Sequence, residues 1–319
     1  MTGRKALVLL GAVTFGQEAL AHAQMTNEQR FNLGNVEVNM GVGLLNGQAR
    51  ETVYDVEAGG KKISQLNWDF KQVPTLHLGL TYHPQEWLSL DLTGWTHIAK
   101  GDSHMKDYDW LSDEHADWSH YSDHPDTRVK TAWQAEVSAT AWAIKREDVA
   151  LGFMLGYQHS QFGWESRGGR YHHSSQEGYR DLSGEFQAGE KVISYKQRYD
   201  TPYVGLVGIY NFHDWTLESR FKYSQWVKAR DFDTHHRDRT FTGNHGNKGR
   251  MQSLAVALSY HVTPRFSVKA GVDYQVNAEA KGSTLIKDLG DGSSEGFGGN
   301  SSGQASKMIL STLAVGYQF

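Results

Sequence analysis

Two short acidic stretches in this sequence carry the side chains that are best suited to chemistry. One is Asp107-Tyr108-Asp109, and the other runs from Asp231 to His236 and contains two aspartates and two histidines. The second stretch follows residues 215–223, where apolar and polar side chains alternate as they do in a β-strand. More than 100 residues separate the two stretches, so only a fold that brings two strand ends together could combine them.

Residues two apart in a strand point to the same side of a sheet, so each stretch presents its acidic groups together. Asp107 and Asp109 form one pair. Asp233 and His235 form another, with Asp231 on the same face. Across a groove these groups could activate water, with His235 as a general base held by Asp233. Two adjacent carboxylates disfavour double ionisation, so one member of the Asp107–Asp109 pair should hold a proton. The chemistry that follows is hydrolysis without a covalent intermediate.

The same residues allow other interpretations at this point. An Asp-x-Asp pair in an exposed loop often serves only to form a turn or to meet solvent. Imidazole and carboxylate groups also suit Zn²⁺ or Cu²⁺, so Asp233, His235 and His236 could form a metal site. His120 and His124 could join such a site, since the chain has 16 histidines. The chain has no cysteine, which excludes thiolate nucleophiles, thiolate metal ligands and disulfides.

The composition and the N-terminus narrow the class of protein. The 319 residues carry a formal net charge of only −4, which gives no reason to expect nucleic acid as a partner. Arg4 and Lys5 precede an apolar segment at 6–15, and Ala21-His22-Ala23 has the form of a signal-peptidase site. We therefore predict a cleaved signal peptide at 1–23 and a single mature domain at 24–319. No later stretch has 18 consecutive apolar residues, so no membrane-spanning helix is predicted.

The mature chain has the pattern of about ten strands. Apolar residues occupy alternate positions in segments such as 36–44, 88–92 and 266–276, and the chain ends on an alternating stripe that closes with Phe319. Short turns alternate with long polar connections, which together with an even strand number is typical of bacterial outer-membrane barrels. The long loops are expected at about 106–128, 167–189, 228–249 and 288–304.

The polar faces of these strands indicate which side of the barrel meets lipid. Opposite the apolar stripes lie Glu, Asp, Lys, Arg, Asn and Gln, the reverse of a small soluble barrel. The sheet must close on itself, because lipid offers no partner for unpaired backbone groups. We therefore predict an all-β fold, a ten-stranded antiparallel transmembrane β-barrel in the outer membrane. Its strands exceed one membrane thickness, so the barrel should extend above the membrane and carry the acidic stretches there.

Motifs along essentially the whole mature length resemble those of the omptins, a family of outer-membrane proteases of Gram-negative bacteria. The matching segments, in chain order, are 51–54, 59–68, 94–96, 107–110, 124–127, 156–158, 167–169, 178–181, 195–198, 221–224 and 233–235. The resemblance implies a ten-stranded barrel whose active groove faces the extracellular side. It also implies an aspartic-type endopeptidase with peptide and protein substrates, no metal and a monomeric state.

The resemblance assigns roles to particular residues of the two acidic stretches. Omptins use an Asp pair from an Asp-x-Asp-Trp motif together with an Asp-x-His dyad. The first motif matches Asp107 and Asp109, and the second matches Asp233 and His235. His236 matches no catalytic residue of the family and is interpreted as a flanking residue.

The resemblance also implies a substrate preference and an activating lipid. Omptins typically cleave beside basic residues, often between two, and their acidic specificity residues match Glu51 and Asp231. Carboxylates in an enclosed site favour Arg and Lys side chains. Omptins need lipopolysaccharide, and Tyr157 and Arg198 match residues of the motif that binds it. Gln161 stands where the family has Arg, so we expect weaker or altered dependence on lipopolysaccharide.

Two other functions remain open from the sequence. A non-enzymatic barrel could serve as an adhesin or binding surface through its loops, and a His/Asp metal-dependent hydrolase would use the same acidic stretches. Wild-type binding to a host surface after loss of Asp233 would favour the first, and loss of activity with a chelator would favour the second. A passive porin is disfavoured, because charged side chains fill the faces assigned to the lumen.

Overall fold

The computed structural model describes residues 35–319, so the predicted signal peptide at 1–23 lies outside the described residues. The described chain folds into fourteen β-strands of one antiparallel sheet. The strands are β1 (Val36–Asp55), β2 (Lys61–Gln85), β3 (Leu88–His97), β4 (Asp102–Asp109), β5 (His120–Lys145), β6 (Val149–Arg167), β7 (Arg170–His173), β8 (Leu182–Glu185), β9 (Lys191–Phe212), β10 (Trp215–His235), β11 (Arg239–Asn244), β12 (Gly249–His261), β13 (Phe266–Asp288) and β14 (Ser294–Gln318). Within residues 35–319 no helix is long and apolar enough to cross a membrane.

Ten of the strands form a closed ring in the lower half of the molecule. The order around the ring is β1, β2, β3, β5, β6, β9, β10, β12, β13 and β14, and β14 pairs again with β1. Every one of these pairings is antiparallel, so the prediction of a ten-stranded antiparallel barrel is confirmed. Closure pairs the backbone groups of both edges, which a sheet in lipid requires.

Two positions of the ring are filled by different strands in the upper half. Above β3, the chain is interrupted at 98–101, and β4 then takes the place between β2 and β5. Below β11, residues 245–248 interrupt the chain before β12, and β11 pairs with β10 and β13 above it. The barrel therefore continues above its lower ring with a new β4 and a new β11, and these are the strands that border the acidic stretches.

Three of the four segments that were expected to be long loops are largely strands, and the fourth, 167–189, is strand only in part. β4 continues to Asp109 and β5 begins at His120, so the loop expected at 106–128 is reduced to 110–119. Likewise, β10 continues to His235 and is followed by β11, β14 begins at Ser294, and the segment expected at 167–189 contains β7 and β8. The prediction of long loops was wrong because these strands are polar on both faces. Cross-strand backbone hydrogen bonds hold them, and such bonds leave no alternating apolar pattern to detect.

Large apolar side chains cover the outside of the lower ring. Met40, Leu92, Leu155 and Leu313 are each more than half exposed, and Leu155 is exposed to 67%. The lumen behind them holds paired charges instead: for example, Lys222 Nζ donates to Glu136 Oε2 at 2.7 Å. This distribution is expected where lipid meets the outer face, since polar residues then point inward.

The upper half has a compact aromatic core inside the barrel. The rings of Trp68 on β2, Trp164 on β6 and Tyr195 on β9 stack on one another, with centroids 5.6–6.2 Å apart. All three side chains are almost completely buried. Two members of this core are direct strand partners of acidic residues: Leu66 lies opposite Asp107 of β4, and Tyr195 lies opposite Asp233 of β10. The core therefore supports the acidic residues from below.

Candidate active site

The final residues of β4 present two carboxylates to the interior of the upper barrel. Asp107 lies opposite Leu66 of β2, and Asp109 lies opposite Ser64 of the same strand. The Ser64 hydroxyl donates a hydrogen bond to the Asp109 carboxylate. His120 is the partner of Asp109 on β5, the other neighbouring strand. The alternation of β4 thus places both aspartates on one wall.

The end of β10 presents the second set of groups to the same interior. Asp231, Asp233 and His235 occupy alternate positions of this strand and therefore share a face. Asp233 is only 2% exposed. Its Oδ2 lies 2.9 Å from Nε2 of His235. The histidine side chain is less buried than its partner, so the dyad is anchored at the carboxylate and opens at the imidazole.

A single cavity of about 490 Å³ joins the two walls. Its polar lining includes Glu51 and four residues predicted to be catalytic, namely Asp107, Asp109, Asp233 and His235. Its apolar lining includes Leu66, Leu111, Phe186, Val192, Phe241 and Ile286. The structure therefore brings together residues that are more than 100 positions apart in the chain, as the sequence predicted. A groove with acidic groups at its centre and apolar walls can accept an extended peptide.

Burial and mutual repulsion alter the acidity of the two aspartates on β4. Burial raises the pKa of Asp107 well above its usual value, and the neighbouring charge of Asp109 raises it further. Burial also raises the pKa of Asp109, against the lowering effects of the Ser64 hydrogen bond and of His120 and His235. A carboxyl group with a raised pKa holds its proton more readily, which is what a hydrogen-bond donor to a developing oxyanion requires.

The pKa of His235 is shifted in the opposite direction to that of an ordinary buried histidine. Burial by itself would lower the pKa of His235, but the charge and hydrogen bond of Asp233 outweigh it, and Asp107 and Asp238 add to the effect. The result is a pKa raised to about 9. His235 therefore favours its protonated form at neutral pH, and it must lose that proton before it can act as a base.

Beside this dyad is an acidic pocket formed by Glu51, which lines the groove, and Asp231, which is not among the residues that line it. Glu51 is 4% exposed, and its Oε2 has no hydrogen-bond partner among the described residues. Burial raises the pKa of Glu51 well above its usual value, and the charges of Asp233, Asp231 and Asp107 raise it further. Asp231 is 8% exposed and accepts a hydrogen bond of 3.0 Å from the Tyr195 hydroxyl. So many buried carboxylates in one place favour a cationic guest.

Hydrogen bonds behind Asp231 hold this pocket in place. The Tyr195 hydroxyl that donates to Asp231 accepts a hydrogen bond from Gln197 Nε2 at 3.0 Å. Gln197 Oε1 in turn accepts one from the Tyr199 hydroxyl at 3.0 Å. All four side chains are buried, so the orientation of the Asp231 carboxylate is determined by a continuous chain of partners.

Sequence reasoning missed the residue that contacts Asp231 from the other side. His245 follows the end of β11, and its Nε2 lies 3.2 Å from Asp231 Oδ2. The alignment is too poor for a hydrogen bond. The side chain is fully buried. No periodic pattern or motif marks this histidine in the sequence, since it lies in the polar stretch between two strands. Ser64 was also missed, although it lies on β2 within the matched segment 59–68.

Two of the histidines considered for a metal site, His236 and His124, have other partners. His236 Nε2 lies 2.8 Å from the hydroxyl of Ser194. The His124 ring contacts the Gly168 carbonyl and the Ser122 hydroxyl. Across residues 35–319, no group of three or more His, Cys, Asp or Glu is arranged to hold a metal ion.

The residues matched to lipid binding lie on the outside of the barrel, where β6 pairs with β9. The Tyr157 hydroxyl donates to Asp200 Oδ1 at 2.8 Å, and His159 Nδ1 lies 2.6 Å from the same oxygen. Arg198 Nε donates to Gln161 Oε1 at 2.9 Å. The neutral Gln161 thus stands directly opposite Arg198 in the register.

Comparison with known proteins identifies what this architecture resembles. A model of the Omptin family matches residues 32–319. The chain is 33% identical over 315 residues to "Protease 7" of Escherichia coli strain K12, covering 98% of this chain and 99% of that protein. It is 36% identical over 278 residues to "Plasminogen activator" of Yersinia pestis, covering 87% of each chain. The crystal structure of the outer-membrane protease OmpT from Escherichia coli superposes with a TM-score of 0.87 at 32% identity, covering 90% of this chain and 98% of the other.

Proposed function

Because the chain belongs to the Omptin family, we propose that it is a surface-exposed endopeptidase of the outer membrane of a Gram-negative bacterium, acting on peptides and proteins beside basic residues. The observation that carries this proposal is the single cavity in which the Asp233–His235 dyad faces Asp107 and Asp109. The groove lies in the part of the barrel above the apolar belt, so substrates reach it from the extracellular side.

The proposed reaction is direct attack of water on the peptide carbonyl. Neutral His235 removes a proton from water held between the two walls, and Asp233 stabilises the imidazolium that forms. The water oxygen bonds to the carbonyl carbon, and the proton retained by the Asp107–Asp109 pair is donated in a hydrogen bond to the developing oxyanion. The carbon–nitrogen bond then breaks, and His235 returns its proton to the leaving nitrogen. The enzyme is thus aspartic in type and needs no covalent intermediate.

The proposed preference for Arg or Lys rests on the pocket formed by Glu51 and Asp231. A substrate cation would neutralise these buried carboxylates. Among the described residues, their only potentially cationic partners are the histidines of the site. The same positive charge would lower the pKa of His235, because a nearby cation disfavours protonation of the imidazole. Binding of a basic residue would therefore also help to generate the neutral base.

Lipopolysaccharide is the proposed activating lipid, bound on the outside of the barrel by Tyr157 and Arg198. Arg198 is exposed, and its guanidinium is available to a phosphate apart from its bond to Gln161. Because Gln161 supplies no positive charge, the lipid would bind less tightly than it does where two cations lie side by side. The protein is proposed to act as a monomer.

The test is cleavage of a fluorogenic peptide with a central Arg-Arg bond by the purified, refolded protein in the presence of lipopolysaccharide. Asp233→Asn and His235→Ala should each lower kcat by about 10²–10⁴-fold, the usual contribution of a general base and its partner. His236→Ala is the matched control and should retain activity, because that ring bonds to Ser194. Full activity of Asp233→Asn, or loss of wild-type activity with a chelator and its recovery with zinc, would overturn the proposal.

A further inference from the structure

His245 is a buried histidine that the structure leaves without the hydrogen bonds such a residue normally has. Neither Nδ1 nor Nε2 has a hydrogen-bond partner among the described residues. By contrast, the equally buried His124 ring is bonded at both nitrogens. Buried polar groups in folded proteins are nearly always satisfied, so an unsatisfied one needs an explanation other than packing. What His245 contacts is the specificity carboxylate, with Nε2 3.2 Å from Asp231 Oδ2.

The backbone around His245 holds the ring at this position. The His245 amide donates to the Ala229 carbonyl at 3.0 Å, and the Ala229 amide donates to the carbonyl of Gly246 at 3.3 Å. Gly243 lies directly opposite Asp231 in the pairing of β10 with β11. A Cβ at Gly243 would overlap both the Asp231 carboxylate and the His245 ring. The glycine therefore leaves room for the imidazole to lie against the carboxylate.

The groups that face this pair are acidic or uncharged. From β9, Tyr195 donates to the same Oδ2 of Asp231. From β1, Glu51 lies close enough for its charge to interact with that of Asp231. From β13, Gly282 packs against the His245 backbone and brings no charge. His245 is thus the group next to Asp231 that can acquire a positive charge.

We infer that His245 is a specificity-determining residue that competes with the substrate's Arg or Lys side chain for the charge of Asp231. When His245 is protonated, it neutralises Asp231 and repels a substrate cation. When it is neutral, Asp231 is free to bind that cation. His245 thereby makes the affinity of the pocket for basic side chains depend on pH. This inference rests on the proposed function, since it concerns the pocket of the proposed protease.

His235 and His245 are expected to affect different kinetic constants. His235 acts on the chemical step, so its protonation state affects kcat. His245 is proposed to act only on the binding of the basic side chain, so it affects KM. If His245 merely filled space beside Asp231, replacing it would change stability and would leave the pH dependence of KM unaltered.

The experiment measures kcat and KM for an Arg-Arg peptide between about pH 5.5 and 8, a range in which histidine side chains change charge. The proteins compared are wild type, His245→Gln and His245→Asn. The Asn variant is included because its smaller side chain fits if Gln is too large for the site. From about pH 8 to about pH 5.5, the increase in KM should be on the order of tenfold larger for wild type than for the variants, because a close charge pair of this kind changes affinity by about that factor. kcat should keep the same pH dependence in all three.

Two further proteins complete the design. His77→Gln removes a partly buried imidazole, one that bonds to Thr75 inside the lower barrel, and its KM should follow the wild-type curve. In an Asp231→Asn background, the change His245→Gln should no longer alter the pH dependence of KM, because the carboxylate for which His245 competes is gone. Parallel KM curves for wild type and a folded His245 variant would overturn the inference alone. Failure of wild type to cleave any peptide would instead overturn the proposed function.

Discussion

Oδ2 of Asp233 lies 2.9 Å from Nε2 of His235, while Oδ1 of the same carboxylate is buried without a hydrogen-bond partner among the described residues. The imidazole is thus oriented through Nε2, which leaves Nδ1 as the nitrogen that can accept a proton from water. Because the carboxylate has few other partners, most of its charge acts on the ring. This relationship explains the raised pKa of His235 and is the basis of the first prediction.

The pH dependence of kcat/KM should reveal the deprotonation of His235 in the free enzyme. The pKa of His235 is raised to about 9, so the active neutral form is scarce at pH 6 and increases with pH up to about 9. The same shift means that the charged dyad stabilises the fold at neutral pH and that this contribution is lost as pH rises through 9. kcat/KM for an Arg peptide, measured from pH 5 to 10, should therefore increase over most of this range. A plateau already reached at pH 6 would contradict the assignment of His235 as the base.

The acidic pocket should determine the preference for basic side chains. Asp231→Asn and Glu51→Gln keep the shape of each side chain but remove its charge. For an Arg substrate each should lower kcat/KM by about 10–100-fold, in line with the loss of one partner of a close charge pair. For a substrate with citrulline in place of Arg, which is neutral and nearly the same shape, the loss should be much smaller. Equal losses with both substrates would show that the carboxylates act on structure and not on charge recognition.

A second guanidinium on the outer face should strengthen activation by lipopolysaccharide. In Gln161→Arg, the new side chain would lie opposite Arg198 in the pairing of β6 with β9. The two cations repel each other unless a phosphate lies between them, so the variant should reach half-maximal activity at a several-fold lower lipid concentration. Gln161→Glu is the control and should need more lipid. Identical activation curves for wild type and Gln161→Arg would contradict the assignment of this face.

A single methyl group at Gly243 should damage the pocket and leave the barrel intact. In Gly243→Ala the added Cβ would overlap the Asp231 carboxylate and the His245 ring, so both must shift. We expect a loss of kcat/KM for basic substrates of at least about tenfold, since small displacements in an active site have effects of this size or more. Gly298→Ala is the matched control, because a Cβ there has no neighbour within 4 Å. Normal activity of Gly243→Ala would show that the pocket tolerates the displacement.

The aromatic core beneath the groove should contribute strongly to stability. Trp68 is fully buried and stacks on the rings of Trp164 and Tyr195. Trp68→Ala should lower the free energy of unfolding by about 3–5 kcal/mol, as large-to-small changes at buried aromatic residues do. Leu182→Ala on β8 is the control and should change it by less than about 0.5 kcal/mol, because that side chain is half exposed. The free energy of unfolding would be measured by urea titration in lipid bilayers. Gel mobility would follow unfolding of all the proteins, and Trp fluorescence would also follow that of the Leu182→Ala control.

The sequence by itself determined the class of fold and the content of the site. Alternating apolar residues on strands such as 36–44 and 266–276 could only be satisfied by lipid on one face, so the ten-stranded antiparallel barrel was predictable. The Asp-x-Asp and Asp-x-His spacings placed Asp107 with Asp109 and Asp233 with His235 on shared faces, because side chains in a strand alternate with a period of two. These are local rules, and each depends only on neighbouring residues.

Only the tertiary structure decided the rest. The upper strand segments beyond the membrane are held by cross-strand backbone bonds, which leave no periodic pattern, and residues 106–128 and 228–249 were therefore mistaken for loops. The pKa of His235 and the unsatisfied ring of His245 depend on burial and on charges from β4, β10 and the turn after β10, which no local pattern encodes. Burial and long-range pairing are properties of the closed barrel, and they convert two acidic stretches of sequence into a groove with the proposed base, acid pair and cation pocket.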